Sequence, residues 1–160
     1  MRAFLPLLMM LLLVGFRSPA IGAPAADLSK VGLRLAVYSP PEGPVRMVLR
    51  VENLGGTVAM IPQPSAQGYD FAVCRGTTEV WRWSADKFFI EQLQELSLQP
   101  GETRVFAEEW NRLDRAGRPV QPGHYTVNAW VPVLDRDSLK AEPRSMVLQA
   151  PPSPPAKESP

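Results

Sequence analysis

The fold of this chain is decided by two stretches, QPGETRVFAEEW (residues 99–110) and QPGHYTVNAWV (residues 121–131). Each begins with Gln-Pro-Gly; Phe106 and Trp110 then fall on one face of the first stretch, and apolar residues alternate with Thr126, Asn128 and Trp130 in the second. Proline presets φ and the glycine after it tolerates positive φ, so each Pro-Gly pair predicts a type II turn. Alternation with a period of two predicts a half-buried strand. The sequence therefore predicts two strands here, each entered through a tight turn.

The same alternation recurs along most of the chain. It predicts further strands at residues 31–37, 45–51, 57–61, 68–75, 79–83, 96–98 and 145–149. The first three are expected to form an opening meander, and the strands at 68–75 and 79–83 a hairpin. Residues 61–68 are predicted to be a loop, because two prolines in this segment lack the backbone N–H groups that donate hydrogen bonds in a β-sheet. Residues 84–93 are interpreted as an irregular connection in which a short helical turn can open at Ser84 and Phe88-Phe89-Ile90 packs against the domain.

These elements number eight or nine short strands, and no long helix is predicted. Turn signals at regular spacing between short strands are typical of an antiparallel sandwich. Tyr125 directly follows a turn and opens a late strand, which suits the tyrosine corner of immunoglobulin-like folds. We expect an all-β, immunoglobulin-like antiparallel β-sandwich of about eight strands, formed by residues 27–150.

The first 25 residues resemble an export signal. Arg2 supplies a positive start, residues 4–16 form an apolar run interrupted by Pro6, and small residues follow. The run is shorter than the roughly 20 residues needed to span a bilayer. We expect a signal peptide over residues 1–25 and an extracytoplasmic location, periplasmic or secreted, with no stable membrane anchor after cleavage; the alternative is an uncleaved anchor.

Charge and composition limit the partners of the mature chain. Removing residues 1–25 takes away Arg2 and Arg17 and no acidic residue, so 17 basic residues become 15 against 16 acidic ones. A chain of net charge −1 lacks the basic footprint of a nucleic-acid-binding protein. Residues 151–160 contain five prolines and are predicted to be a disordered tail or, alternatively, a proline-rich ligand.

Residues that could support catalysis or hold a cofactor are sparse. The chain has one histidine, His124, and one cysteine, Cys74. It therefore has no internal disulfide, no cluster with metal-ligand spacing and no Gly-x-Ser-x-Gly motif. Cys74 is interpreted as a buried small apolar residue, with a reactive thiol or an intermolecular disulfide as alternatives. We predict no catalytic residues, no metal site and no cofactor.

Several motifs in the middle of the chain resemble the intracellular proteinase inhibitor family, the BsuPI type. The residues that carry the resemblance are Tyr69-Asp70-Phe71, Val80-Trp81-Arg82-Trp83-Ser84, Asp86, Phe89, Leu98-Gln99-Pro100-Gly101-Glu102, Phe106, Trp110, Gly117, Val120 and Pro122-Gly123-His124-Tyr125-Thr126-Val127. The resemblance covers about residues 30–134. It implies an immunoglobulin-like sandwich and, for the namesake, inhibition of serine proteases. The namesake is intracellular, whereas this chain is predicted to be exported.

The loop at residues 111–120 is the first candidate for partner contact. Arg112, Arg115 and Arg118 would suit a trypsin-like acidic pocket if the loop were extended, and Asp114 lies among them. The alternative interpretation is a solvated connection in which Asp114 and Gly117 make a turn. A substrate-like loop needs rigidity, because preorganisation limits the entropy lost on binding.

Aromatic side chains allow two interpretations. Most of Trp81, Trp83, Phe88, Phe89, Phe106 and Trp110 are expected to lie in the core, although they could instead form a sugar platform or a partner hot spot. Trp130 is the better surface candidate, because it falls on the face of its strand opposite Tyr125, Val127 and Ala129. The sequence thus predicts an exported, non-enzymatic protein-binding domain, for which the family resemblance implies inhibition of a serine protease; the alternative is a cell-envelope binding or assembly module without inhibitory activity.

Overall fold

A computed structural model describes residues 27–150, and the predictions for residues 1–25 and 151–160 lie outside the described residues. The described part contains ten strands and two short 3₁₀ helices, Leu28–Lys30 and Trp83–Asp86. The strands are β1 (Val31–Tyr38), β2 (Val45–Asn53), β3 (Ala59–Gln63), β4 (Asp70–Arg75), β5 (Thr78–Arg82), β6 (Gln94–Leu98), β7 (Thr103–Trp110), β8 (Gly123–Val131), β9 (Leu139–Lys140) and β10 (Arg144–Leu148). The all-β class is therefore confirmed, and the very short β9 is the strand that the sequence did not predict.

Two antiparallel sheets form the sandwich. One has the order β1-β2-β7, and the other has the order β10-β8-β4-β5 with β9 added beside β8. These orders correspond to the A-B-E and G-F-C-C′ sheets of immunoglobulin-like folds. The predicted β4–β5 hairpin is confirmed, with a register shift between Val73 and Cys74.

The core lies between the inner faces of the two sheets. Every second residue of β2 and β8 is buried, as the period of two predicts. The contributing side chains are Val45, Met47, Leu49 and Val51 from β2, Phe71 and Val73 from β4, and Tyr125, Val127, Ala129 and Val131 from β8. The Tyr125 hydroxyl donates a hydrogen bond of 2.6 Å to the carbonyl of Gln121, four residues upstream, so the predicted tyrosine corner is confirmed.

The expected opening meander is wrong. β3 pairs with β6 in a separate two-stranded sheet, because β1 and β7 already occupy the two edges of β2. Pro62, expected in a loop, lies inside β3 opposite Glu95. Proline is tolerated there because β3 has only one neighbouring strand, and the Pro62 carbonyl accepts a hydrogen bond of 2.8 Å from the Leu134 amide.

Buried Asn53 joins the end of β2 to the β3–β6 sheet. Its side-chain amide donates to the carbonyls of Thr57 at 2.8 Å and Leu98 at 2.9 Å, while its side-chain oxygen accepts from the Gly55 amide at 2.9 Å. The Gly101 amide donates to its main-chain carbonyl. One side chain therefore fixes where β3 and β6 lie relative to the sandwich.

The two Pro-Gly sequences adopt different conformations. Gly101 has φ +74°, and the Glu102 amide donates to the Gln99 carbonyl at 2.9 Å, which confirms the type II turn. Gly123 has φ +142° and is already the first residue of β8, paired with Leu148. The second predicted type II turn is therefore wrong, although its glycine does occupy a backbone conformation that other residues rarely adopt.

Candidate functional site

Residues 111–120, here called the arginine hairpin, fold back on themselves. Leu113 and Pro119 form an isolated β-bridge, and the Asp114 amide donates to the Arg118 carbonyl at 2.8 Å. The Gly117 amide closes the turn by donating to the Asp114 carbonyl at 2.9 Å. The predicted turn at Asp114 and Gly117 is therefore confirmed, and the extended conformation needed for a trypsin-like pocket is not the one observed.

Each arginine of the hairpin already has a partner within the chain. Arg112, at φ +63°, donates to the carbonyls of Pro40 and Pro41. Arg118 pairs with Asp114 at 2.8 Å, and hydrogen bonds from the Arg118 backbone and side chain hold the pKa of the Asp114 carboxyl below its usual value. The structure therefore places the predicted contact residues in one surface hairpin, where Arg118 is paired with a carboxylate and Arg112 is hydrogen-bonded to main-chain carbonyls.

Arg115 extends this network to the neighbouring sheet by pairing with Glu79 on β5. The same carboxylate accepts from Arg82, with an N–O distance of 2.6 Å. Hydrogen bonding from Arg82, with the added charge of Arg115, lowers the pKa of Glu79. Glu79 therefore links the arginine hairpin to β5.

Three aromatic rings form a stack at the edge of the core, here called the aromatic stack. Tyr69 lies between Trp83 and Phe106, with ring centroids 4.4 Å apart on each side. Its hydroxyl donates to the Glu108 carboxylate at 2.5 Å, and burial together with this bond raises the pKa of Tyr69. The stack connects β7 to the 3₁₀ helix that begins at Trp83.

The expectation that most aromatic residues are core is only partly correct. Among those considered, Trp110 alone is fully buried, and its indole N–H donates to the Leu113 carbonyl at 2.8 Å. Trp81, Trp83 and Phe106 are half-buried against the core. Trp130 is half-buried on the outer face of β8 under the Arg82 guanidinium, 5.1 Å from the ring centroid.

Asp70 holds the 3₁₀ helix Trp83–Asp86 in place. Its buried carboxylate accepts from the Ser84 hydroxyl at 2.6 Å and from the Ser84 amide at 3.2 Å. Gln67 donates to the same carboxylate at 2.9 Å. These hydrogen bonds therefore fix the beginning of this helix.

Residues 87–93, here called the apolar loop, leave that helix and lead into β6. Phe88 has a relative exposure of 103%, and Ile90 and Leu93 follow with 72% and 65%. The expectation that Phe88 and Ile90 pack against the domain is therefore wrong, and only Phe89 contacts Trp83, with ring centroids 5.6 Å apart. The sequence pair Phe88-Phe89 could have indicated that one ring is exposed, because adjacent side chains of an extended segment point in opposite directions.

A cleft of about 590 Å³ separates the 3₁₀ helix from the arginine hairpin. Ala85 and Asp86 line one side and Asp114, Arg115 and Gly117 line the other. The apolar loop starts at the residue after Asp86. The arginine hairpin therefore lines the cleft itself, and the apolar loop continues from the helix that lines its other side.

The residues considered for catalysis, Cys74 and His124, lie on the outer face of the β10-β8-β4-β5 sheet, where Cys74 is half-buried and pairs across the strands with Glu79. Asn128 donates to the Cys74 sulfur at 3.6 Å, and burial raises the pKa of the Cys74 thiol. His124 is exposed on β8. Within residues 27–150 there is no group of three or more potential metal ligands, and none of the helices there is long and apolar enough to cross a membrane.

Comparison with known structures gives distant likenesses. The beta-glucosidase of Listeria innocua in complex with glucose matches at 12% identity and TM-score 0.40, over 75% of this chain and 16% of that chain. The beta-glucosidase of Bifidobacterium adolescentis matches at 16% identity and TM-score 0.41, over 79% and 19%. The alkylpurine DNA glycosylase of Pseudomonas fluorescens bound to DNA matches at 16% identity and TM-score 0.41, over 76% of this chain and 31% of that chain. This chain therefore spans less than a third of the length of these proteins.

No curated protein matches the chain in sequence. The family model for the intracellular proteinase inhibitor, BsuPI, matches residues 31–135. This range contains β1 to β8, and with them the whole β1-β2-β7 sheet, the strands β8, β4 and β5 of the second sheet, the aromatic stack, the apolar loop and the arginine hairpin. The chain therefore belongs to the BsuPI intracellular proteinase inhibitor family.

Proposed function

We propose that this protein is an exported inhibitor of serine proteases with no enzymatic activity of its own. The observation that carries the proposal is the family match over residues 31–135. A family described as proteinase inhibitors implies a protease as partner. The predicted signal peptide at residues 1–25 supports action outside the cytoplasm, in contrast to the family's name.

The contact surface that we propose includes both segments beside the cleft. The arginine hairpin, with Arg112, Asp114, Arg115 and Arg118, is the candidate from sequence. The charged side chains of this hairpin lie at the protein surface and are mostly paired with groups of the same chain. We therefore assign the arginine hairpin a secondary contribution to the affinity for the protease. Replacing Arg115 and Arg118 by alanine should weaken a protease complex by less than about tenfold and reduce its salt dependence.

Inhibition is tested by titrating a panel of serine proteases with the purified protein. The panel should contain enzymes with acidic, large apolar and small primary pockets, since these select different side chains. We expect saturable inhibition of at least one enzyme while the protein stays intact on a gel. Full activity of every enzyme at a large excess of the protein would contradict the proposal and favour the envelope-binding alternative.

Export is tested separately by expressing the full chain and a chain that lacks residues 1–25. We expect only the full chain to reach the extracytoplasmic fraction, with a mass shortened by roughly 25 residues. An unshortened chain in the cytoplasm would contradict the proposed location and leave the inhibition assay unaffected.

A further inference from the structure

The apolar loop exposes a cluster of large apolar side chains to solvent. Phe88, Ile90 and Leu93 are all largely exposed within six residues, and the Phe88 side chain is fully in solvent. Scattered exposed hydrophobic residues are ordinary, but a cluster on one short segment marks an interaction site. The stability of the fold therefore does not explain why Phe88 is exposed.

The backbone on both sides of Phe88 is held in place. The Lys87 amide donates to the Ser84 carbonyl at 3.1 Å, and its ammonium group donates to the Trp83 carbonyl at 2.9 Å. Lys87 itself is extended, with φ −114° and ψ 147°. After Phe88, the Phe89 ring contacts Trp83, and the Ile90 carbonyl accepts from the Ala66 amide at 3.0 Å.

The base of the loop is also well packed. Trp83 belongs to the aromatic stack, and the neighbouring Ser84 is bonded to buried Asp70. An exposed side chain on a backbone that is already ordered loses little further conformational entropy on binding. This provides the rigidity that disulfides often give to inhibitory loops, in a chain with a single cysteine.

We propose that the apolar loop is the segment that enters the substrate cleft of the target protease, with Phe88 in an apolar primary-specificity pocket. The inference rests on the proposed function and adds the contact residue and the specificity class. Protease clefts bind extended segments, and the chymotrypsin type accepts a large apolar side chain in its primary pocket. The occupant of the pocket is thus an aromatic side chain.

The nearby cations do not compete for this role. The Lys87 ammonium group is folded back onto the Trp83 carbonyl and lies 4.8 Å from the Trp83 ring centroid. The arginines of the hairpin are engaged as described above. A protease with an acidic primary pocket would have to break these contacts, whereas an apolar pocket finds Phe88 free.

The test uses the purified protein against chymotrypsin, in its active form and in an inactive form with the nucleophilic serine replaced by alanine. Binding to the inactive form and inhibition of the active form are measured for the wild-type protein, Phe88→Ala, Phe88→Arg and Leu54→Ala. Leu54 is the matched control, since it is also an exposed hydrophobic residue but lies in the turn after β2. Thermal unfolding confirms that each variant folds.

We expect Phe88→Ala to weaken binding and inhibition at least about 30-fold, as for a hot-spot residue. Leu54→Ala should behave as the wild type, and Phe88→Arg should transfer inhibition to trypsin. If Phe88→Ala inhibits as well as the wild type, the assignment of the loop is overturned while the proposed function stands. If the wild type binds the inactive form through Phe88 but is rapidly cut by the active form after Phe88, the loop is right and the inhibitory function is overturned. No binding to either form overturns the inference.

Discussion

At the residue scale, single buried or half-buried polar groups determine how the surface segments are held. Asp70 fixes Ser84, Glu79 joins Arg82 to Arg115, and the Tyr125 hydroxyl closes the tyrosine corner. The tyrosine corner was predicted from the sequence, because Tyr125 opens a strand directly after a turn, which is the position of this motif in immunoglobulin-like folds. Ser84 lies 14 residues from Asp70 and Arg115 lies 36 residues from Glu79, so no local pattern indicates these two contacts.

Tyr125→Phe should lower the free energy of unfolding by about 1 kcal/mol, because it removes one hydrogen bond without changing the packing of the ring. Urea unfolding measures the effect, and Tyr38→Phe is the control, since Tyr38 is largely exposed. Equal stability of Tyr125→Phe and the wild type would show that the tyrosine corner does not stabilise this sandwich.

Glu79→Gln should lower stability by about 1 kcal/mol at neutral pH. The folded-state pKa of Glu79 is below its ordinary value of 4.5, so the unfolded chain takes up a proton first as the pH falls. The stabilisation is therefore present above about pH 4.5 and is lost as the pH falls through the lowered pKa. Urea unfolding should show the difference between the wild type and the variant shrinking as the pH falls below 4.5 and through the lowered pKa.

The control for this experiment is Glu95→Gln, which changes an exposed glutamate on β6. A difference between the wild type and Glu79→Gln that stays constant across the acid range would contradict the assigned network.

At the element scale, the period of two predicted most strands but not the partner of each strand. β3 has the expected residues, but its pairing with β6 depends on β2 having both edges occupied and on the bonds made by Asn53. Similarly, Phe88-Phe89-Ile90 has the composition of a core segment. The structure leaves Phe88 and Ile90 exposed after the 3₁₀ helix Trp83–Asp86, and residue type alone does not indicate which side of this segment is covered.

Asn53→Ala should cost about 1–3 kcal/mol, because the partners of a buried polar side chain lose their hydrogen bonds. Hydrogen exchange should show faster exchange in β3 and β6 than in β8, since Asn53 joins the β3–β6 sheet to the sandwich. Gln92→Ala, at an exposed position of the apolar loop, is the control. Uniform loss of protection over all strands would contradict this role for Asn53.

At the scale of the whole molecule, the sandwich is a rigid frame that presents two surface segments beside one cleft. The sequence predicted the frame and the family, because turns, alternation and aromatic positions are local features. It predicted the arginine hairpin as a candidate contact but not its closed shape, which depends on Asp114 and on the bridge between Leu113 and Pro119. It placed the apolar loop in the core, because residue type alone does not show which side of a segment is covered.

The central claim is that this molecule blocks a serine protease that has an apolar primary pocket, with Phe88 as the contact residue, and active-site titration of chymotrypsin tests it most directly. Chymotrypsin at a concentration determined by active-site counting is mixed with increasing amounts of the purified protein, and the remaining activity is measured. The account predicts a linear decrease that extrapolates to one molecule of the protein per active site, with the Phe88–Phe89 bond intact. Full activity at several-fold excess, or progressive digestion of the protein during the assay, would contradict it.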